Sequence, residues 1–181
     1  MKGIALALAV AGFGTAASGQ VPAAAPTWFA TERFATISSS ELGAATTFQV
    51  RCEPSASGGR TIPSFHLTVP IDYVPGFQVT PNTSVEMKLE MRGERAGDAE
   101  VAFLLNTTEF GVSGSGSGIK VTFVGYGGSD VGEAAARAVL RTLSASSSVT
   151  VSARPAGGNW VRARFSSAGA NAALAKTWCR E

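Results

Sequence analysis

Phe48, Val50 and Cys52 alternate with polar neighbours across residues 46–53, and the same period of two returns again and again along the chain. Side chains two residues apart share one face of a strand, so each such run predicts a strand with one buried and one solvated side. Phe65, Leu67 and Val69 repeat the pattern in "PSFHLTVP". Val85, Met87, Leu89 and Met91 repeat it in "SVEMKLEMRG", with Glu86, Lys88, Glu90 and Arg92 on the opposite face. Glu86 and Glu90 could pass for paired acid catalysts, but interleaved with Lys88 and Arg92 they read as a charge-compensated, solvated surface. Further strands are expected over 99–105, 119–124, 148–154 and 160–165, the last two joined by the turn chemistry of "PAGGN". The Gly/Ser run 111–118 reads as a mobile, long hairpin connection.

The period lengthens in two places. Asp130, with Glu133 three positions on, resembles a capping box and opens an Ala/Leu-rich helix over about 129–144. Ala170, Leu174 and Trp178 recur every four residues, which predicts a second helix over about 167–179, capped by Ser166 or Ser167. Together these elements define a β-rich α+β fold: an antiparallel β-sandwich or strongly curved sheet with two packed helices.

Composition at the N-terminus adds a destination. Lys2, an apolar run over 4–13 and small residues over 14–19 make a secretory signal peptide of residues 1–19, too short in its apolar part to span a bilayer. The Pro/Ala segment 20–27 is an extended leader, and 28–181 is long enough for a single β-rich domain around one core. The expected location is periplasmic or secreted, with no membrane segment once the signal is removed. An oxidising compartment favours disulfides, and Cys52 and Cys179 supply the even number that one bridge requires. Closing a loop of roughly 130 residues stabilises a fold by about 4–5 kcal/mol in the chain-entropy model.

Candidate chemistry is sparse. His66 is the only histidine, which excludes a multi-histidine metal centre, and no cofactor motif is present. Gly125 and Gly127 begin a Gly-x-Gly-x-x-Gly pattern, but Asp130 stands at the third position, where a carboxylate repels the phosphate that a helix N-terminus attracts. A hydrolase built on His66, with Asp72 as the nearest acid in sequence, is the enzymatic alternative; an inhibitor presenting loop 111–118 is another. Charge is unevenly spread. Residues 81–110 carry six acids and three bases, whereas 111–181 carry eight bases and three acids, within a chain of net charge +2. So small a net charge argues against nucleic acid as the partner. Trp160, Arg162 and Arg164 share one strand face, and Arg137 and Arg141 share one helix face. Exposed Trp and Arg are enriched at interface hot spots and anion sites, so these five residues form the candidate binding face. The competing expectation is that guanidinium groups merely stack over the indole on a solvated surface.

"FQVRCE", the helix "AARAVLRTL", the strands "VTVSAR" and "VRARF" and the closing "AGANAALAKTWC" resemble small exported bacterial proteins of the type VI secretion-associated VasI/TagO kind. The resemblance covers the region around Cys52 and roughly the last 50 residues. The ending is also similar to that of the invasion-associated locus B group, whose members carry additional cysteines. Either resemblance implies a periplasmic, non-enzymatic accessory protein that binds an envelope or secreted protein, or an anionic polymer, and neither implies a catalytic residue or cofactor.

Overall fold

A computed structural model of the protein describes residues 25–53, 61–74, 85–92, 101–107, 109–115, 118–126, 130–155 and 158–179. The expected signal peptide and most of the leader lie outside these residues. Ten strands are described: Phe29–Ala30 (β1), Phe34–Ser38 (β2), Thr47–Glu53 (β3), Ile62–Pro70 (β4), Val85–Arg92 (β5), Val101–Thr107 (β6), Glu109–Ser115 (β7), Gly118–Tyr126 (β8), Ser148–Pro155 (β9) and Val161–Ser166 (β10). Two helices accompany them, Asp130–Ala145 (α1) and Ala170–Leu174 (α2). The strands form two antiparallel sheets, in the orders β1-β2-β3-β4-β8-β7 and β10-β9-β5-β6. β2 lies against β10, β4 against β9 and β5 against β8, so the sheets stack face to face.

The alternation seen in the sequence sorts the residues as expected. Phe48, Val50 and Cys52 of β3, Phe65, Leu67 and Val69 of β4, and Met87 and Leu89 of β5 are buried. They meet Val149, Val151, Ala163 and Phe165 of the second sheet in one core. Phe48 stacks on Phe65 at 6.5 Å within its sheet and reaches Phe165 across the sandwich at 5.6 Å. Trp28 closes the β2/β10 side. Its ring meets Phe48 edge-on at 6.2 Å while its Nε1–H donates to the Ser166 carbonyl at 3.0 Å. An aromatic ring thus fills the gap between the sheets and its one polar atom is satisfied.

α1 buries Ala136, Val139, Leu140 and Leu143, the i, i+3, i+4, i+7 stripe of an amphipathic helix. It packs on β4, β8, β6 and α2. The expected capping box of Asp130 and Glu133 lies outside the described side chains.

Two expectations need correction. The run 111–118 is not a free connection, because Glu109–Ser115 pairs with β8 as far as Ser115↔Gly118. An edge strand needs only backbone donors and acceptors on one side, and residues without large side chains can supply them. Gly118, the first residue of β8, has a φ of 99°, which suits a residue without Cβ. The terminal helix is also far shorter than 167–179. Gly169, at φ 86°, rather than Ser166 or Ser167, precedes it, and the Ser166 hydroxyl accepts from Ala168 N–H instead. After Leu174 the chain tightens into i→i−3 bonds, from Lys176 N–H to Ala173 C=O and from Thr177 N–H to Leu174 C=O. It then leaves the helical path because Trp178 N–H donates to the Glu32 carbonyl at 2.7 Å and Cys179 is bonded to Cys52, with Cα atoms 5.2 Å apart.

Candidate functional site

Trp160, Arg162 and Arg164 lie on the outer side of the four-stranded sheet. β10 is its edge strand, and it alternates buried Val161, Ala163 and Phe165 with exposed Arg162, Arg164 and Ser166. Trp160, just ahead of the strand, is 41 % exposed. The guanidinium over its ring is that of Arg154, from β9, at 4.7 Å from the centroid. The stacking expected of Arg162 or Arg164 is therefore made by a residue across the hairpin.

Strand order completes this face. β5 sits beside β9 and brings the acidic segment of the chain onto the basic one. Glu86 pairs in register with Arg154, and its Oε2 accepts from Arg154 Nε–H at 2.9 Å. Glu90 is bonded to Lys88 at 2.6 Å and lies 3.8 Å from Arg162. Arg162 also donates to the Ser152 hydroxyl, and Arg164 to that of Ser148, both at 3.3 Å. The described charged side chains here are four cations, Lys88, Arg154, Arg162 and Arg164, and two carboxylates, Glu86 and Glu90, with a third carboxylate, Glu41, lining a hollow beside Arg164. At the β10 edge the Arg162 side chain is 64 % exposed.

Arg137 and Arg141 belong to a different surface. They project from α1, which packs on β4, β8, β6 and α2. Arg137 is half-buried and donates to the Thr61 carbonyl at 3.2 Å, while Arg141 is exposed. The five residues of the candidate face are thus divided between the outer face of one sheet and a helix.

His66 lies on the outer face of the six-stranded sheet, half-buried, between Gln49 of β3 and Val124 of β8. Ser64, two residues earlier on the same face, has its hydroxyl 2.9 Å from His66 Nε2. Burial, with a smaller contribution from the Arg51 charge, lowers the imidazole pKa from 6.5 to about 4, so the ring is neutral at pH 7. A neutral imidazole can accept the hydroxyl's hydrogen bond, but a ring with so lowered a pKa is a weak base for taking its proton. No carboxylate holds the ring among the described residues, and Asp72 stands exposed in a 3-10 turn, Ile71–Tyr73, beyond the end of β4. The Ser64 pairing follows from the i, i+2 spacing on a strand, a signal present in the sequence; the neighbours supplied by β3 and β8 are not.

No three of His, Cys, Asp and Glu gather into a metal-binding group among the described residues, and no helix there is long and apolar enough to cross a membrane. The fold and bridge define a disulfide-closed, two-sheet β-sandwich protein. No family model, curated protein or solved structure matches the chain.

Proposed function

We propose that this is an exported periplasmic or secreted accessory protein, without catalytic activity, that recognises a protein or an envelope polymer through the basic edge of its four-stranded sheet. The observation that carries the reading is the Arg154–Trp160 stack beside exposed Arg162 and Arg164 on an edge strand. The stack holds an exposed aromatic in place, and the two guanidinium groups next to it favour carboxylate, sulfate or phosphate groups. The bridge Cys52–Cys179 supports an oxidising, extracytoplasmic location. The resemblance to VasI/TagO-like proteins points to the same class.

The test is crosslinking capture in intact periplasm with the wild-type protein beside a Trp160→Ala/Arg162→Glu/Arg164→Glu variant of unchanged circular dichroism. Loss of a specific partner in the variant alone supports the reading; identical capture by both, or by neither, refutes it. The Ser64–His66 contact favours one second reading, a secreted hydrolase. A serine-directed fluorophosphonate that labels the protein, and fails to label Ser64→Ala or His66→Gln, would establish that reading in place of the first.

A further inference from the structure

The outer face of the six-stranded sheet carries a row of side chains that crosses β1, β2, β3, β4 and β8. The pairing registers place Phe29 beside Thr36, Thr36 beside Gln49, Gln49 beside His66 and His66 beside Val124. Directly paired residues share a face, and Thr36, flanked by buried Ala35 and Ile37, fixes this one as outward. Phe29, at the end of the row, is 60 % exposed, more than any other large hydrophobic side chain described. Its ring rests tilted against Phe34 at 6.3 Å, so it is held in place while most of it meets solvent.

Between Phe29 and Val124 the groups are neutral and have hydrogen-bonding capacity to spare. The Gln49 amide is half-buried and bonds to no described residue, so both its donors and its carbonyl lone pairs are open. His66, neutral at pH 7, meets the Ser64 hydroxyl through Nε2, which leaves Nδ1. Thr36 donates to the Phe48 carbonyl at 3.1 Å and keeps its lone pairs as acceptors. An ionic partner laid along this row would lose water without meeting a counter-charge in it. A chain of sugar rings would exchange hydrogen bonds with the amide, imidazole and hydroxyl, and could rest the C–H face of one ring on Phe29. The repeat fits as well: paired strands lie about 4.8 Å apart, and an extended β-1,4-linked hexose chain advances by nearly that interval per sugar. Four such steps make a row of roughly 19 Å, the length of about four sugars. Arg51 stands in the adjoining row, paired with Phe34, so an anionic glycan is the alternative to separate.

We infer that this row binds an uncharged, extended β-1,4-linked glycan across the strands, with Phe29 stacked on a sugar ring and Gln49 and His66 hydrogen-bonded to its hydroxyls. No residue is shared with the basic β10 edge, so the inference does not rest on the function proposed above.

Titration calorimetry of the unmodified protein with cellobiose, cellotetraose and cellohexaose tests it, beside maltohexaose and the anionic β-1,4-linked hexamannuronate. Affinity should rise at least about tenfold from cellobiose to cellotetraose and change less than about threefold from there to cellohexaose, because the row is then covered. Maltohexaose, of the same composition but coiled by its α-linkages, should bind at least about tenfold more weakly than cellohexaose, and hexamannuronate no more tightly than cellohexaose. Phe29→Ala should weaken cellohexaose about tenfold and Gln49→Ala about three- to tenfold, the loss of a stacking contact and of hydrogen bonds. Phe29→Tyr, which keeps the ring, should bind as wild type does. Both positions lie on the solvent side of the sheet, so the variants leave the core intact. Trp160→Ala/Arg162→Glu/Arg164→Glu should leave cellohexaose binding unchanged; its loss there would assign the glycan to the β10 edge instead. Absence of saturable cellohexaose binding, equal binding of maltohexaose, tighter binding of hexamannuronate, or indifference to both Phe29→Ala and Gln49→Ala would each overturn the inference.

Discussion

His66 carries the clearest residue-level consequence. Its pKa of about 4 in the fold stands below the 6.5 of an unstructured histidine, because burial first and Arg51 second disfavour the imidazolium. The unfolded chain therefore binds the proton more readily between pH 6.5 and 4. The stability that the neutral ring contributes is complete above pH 6.5 and is lost as pH falls toward 4, by on the order of 3 kcal/mol across that window. Urea unfolding of wild type and His66→Gln at pH 7.5, 5.5 and 4.5 should show the variant losing less stability on acidification; parallel curves would show the ring to be solvated. The strand position of His66 was legible, since Phe65 and Leu67 mark the core face. Its desolvation was not. A period of two says which side a residue takes, but the crowding on that side comes from Gln49, Arg51 and Val124 on strands distant in sequence.

Among the elements, legibility followed side-chain size. Runs with Phe, Leu, Val and Met at alternate positions predict strands, and they are strands. The pattern does not mark β2, whose inward residues include Ala35, a weak hydrophobic signal, or β7, where glycine and serine carry no pattern although its backbone pairs fully with β8. The carboxyl-terminal helix was overextended for the opposite reason: its apolar spacing of four continues past Leu174 to Trp178, but tertiary bonds from Glu32, Thr61 and Cys52 claim the chain first. Those bonds make the segment dependent on its staple. A Cys52→Ser/Cys179→Ser variant should lose about 4–5 kcal/mol in denaturant unfolding, the loop-closure entropy of a 127-residue separation. Exchange of the Thr177 and Trp178 amides should accelerate more than that of β3 and β4. Gly169 is the second weak point: at φ 86° an alanine adopts the left-handed region at a cost of about 1–2 kcal/mol, so Gly169→Ala should lower the unfolding midpoint although its Cβ meets only Trp28 at 3.9 Å.

For the whole molecule, what a linear reading could not supply was the strand order. The acidic segment 81–110 and the basic segment 111–181 look like opposed ends of a polar chain, yet β5 lies directly beside β9, and Glu86 and Glu90 come to face Arg154 and Arg162. Two of the six acids of the first segment thereby face two of the eight bases of the second at short range, and Arg164 at the β10 edge faces neither carboxylate. This makes the carboxylates regulators of the face. Glu86→Gln/Glu90→Gln removes two negative charges; losing the exposed Glu86–Arg154 pair costs no more than about 1 kcal/mol, whereas Glu90, whose side chain is only 16 % exposed beside Lys88, costs more to neutralise, so the fold should survive with a lowered melting temperature. If the edge recognises anionic groups, the variant should elute from a sulfated-polymer column at higher salt than wild type, and Arg162→Glu/Arg164→Glu at lower salt, because binding through phosphate-like groups weakens with each ion pair removed and with screening. The Gln variant also frees Arg154 from Glu86, so a second outcome is informative: stronger retention together with altered Trp160 fluorescence would show that the Arg154–Trp160 stack is set by the carboxylate. Unchanged elution of both variants would mean that the face is a solvated, self-neutralised sheet surface.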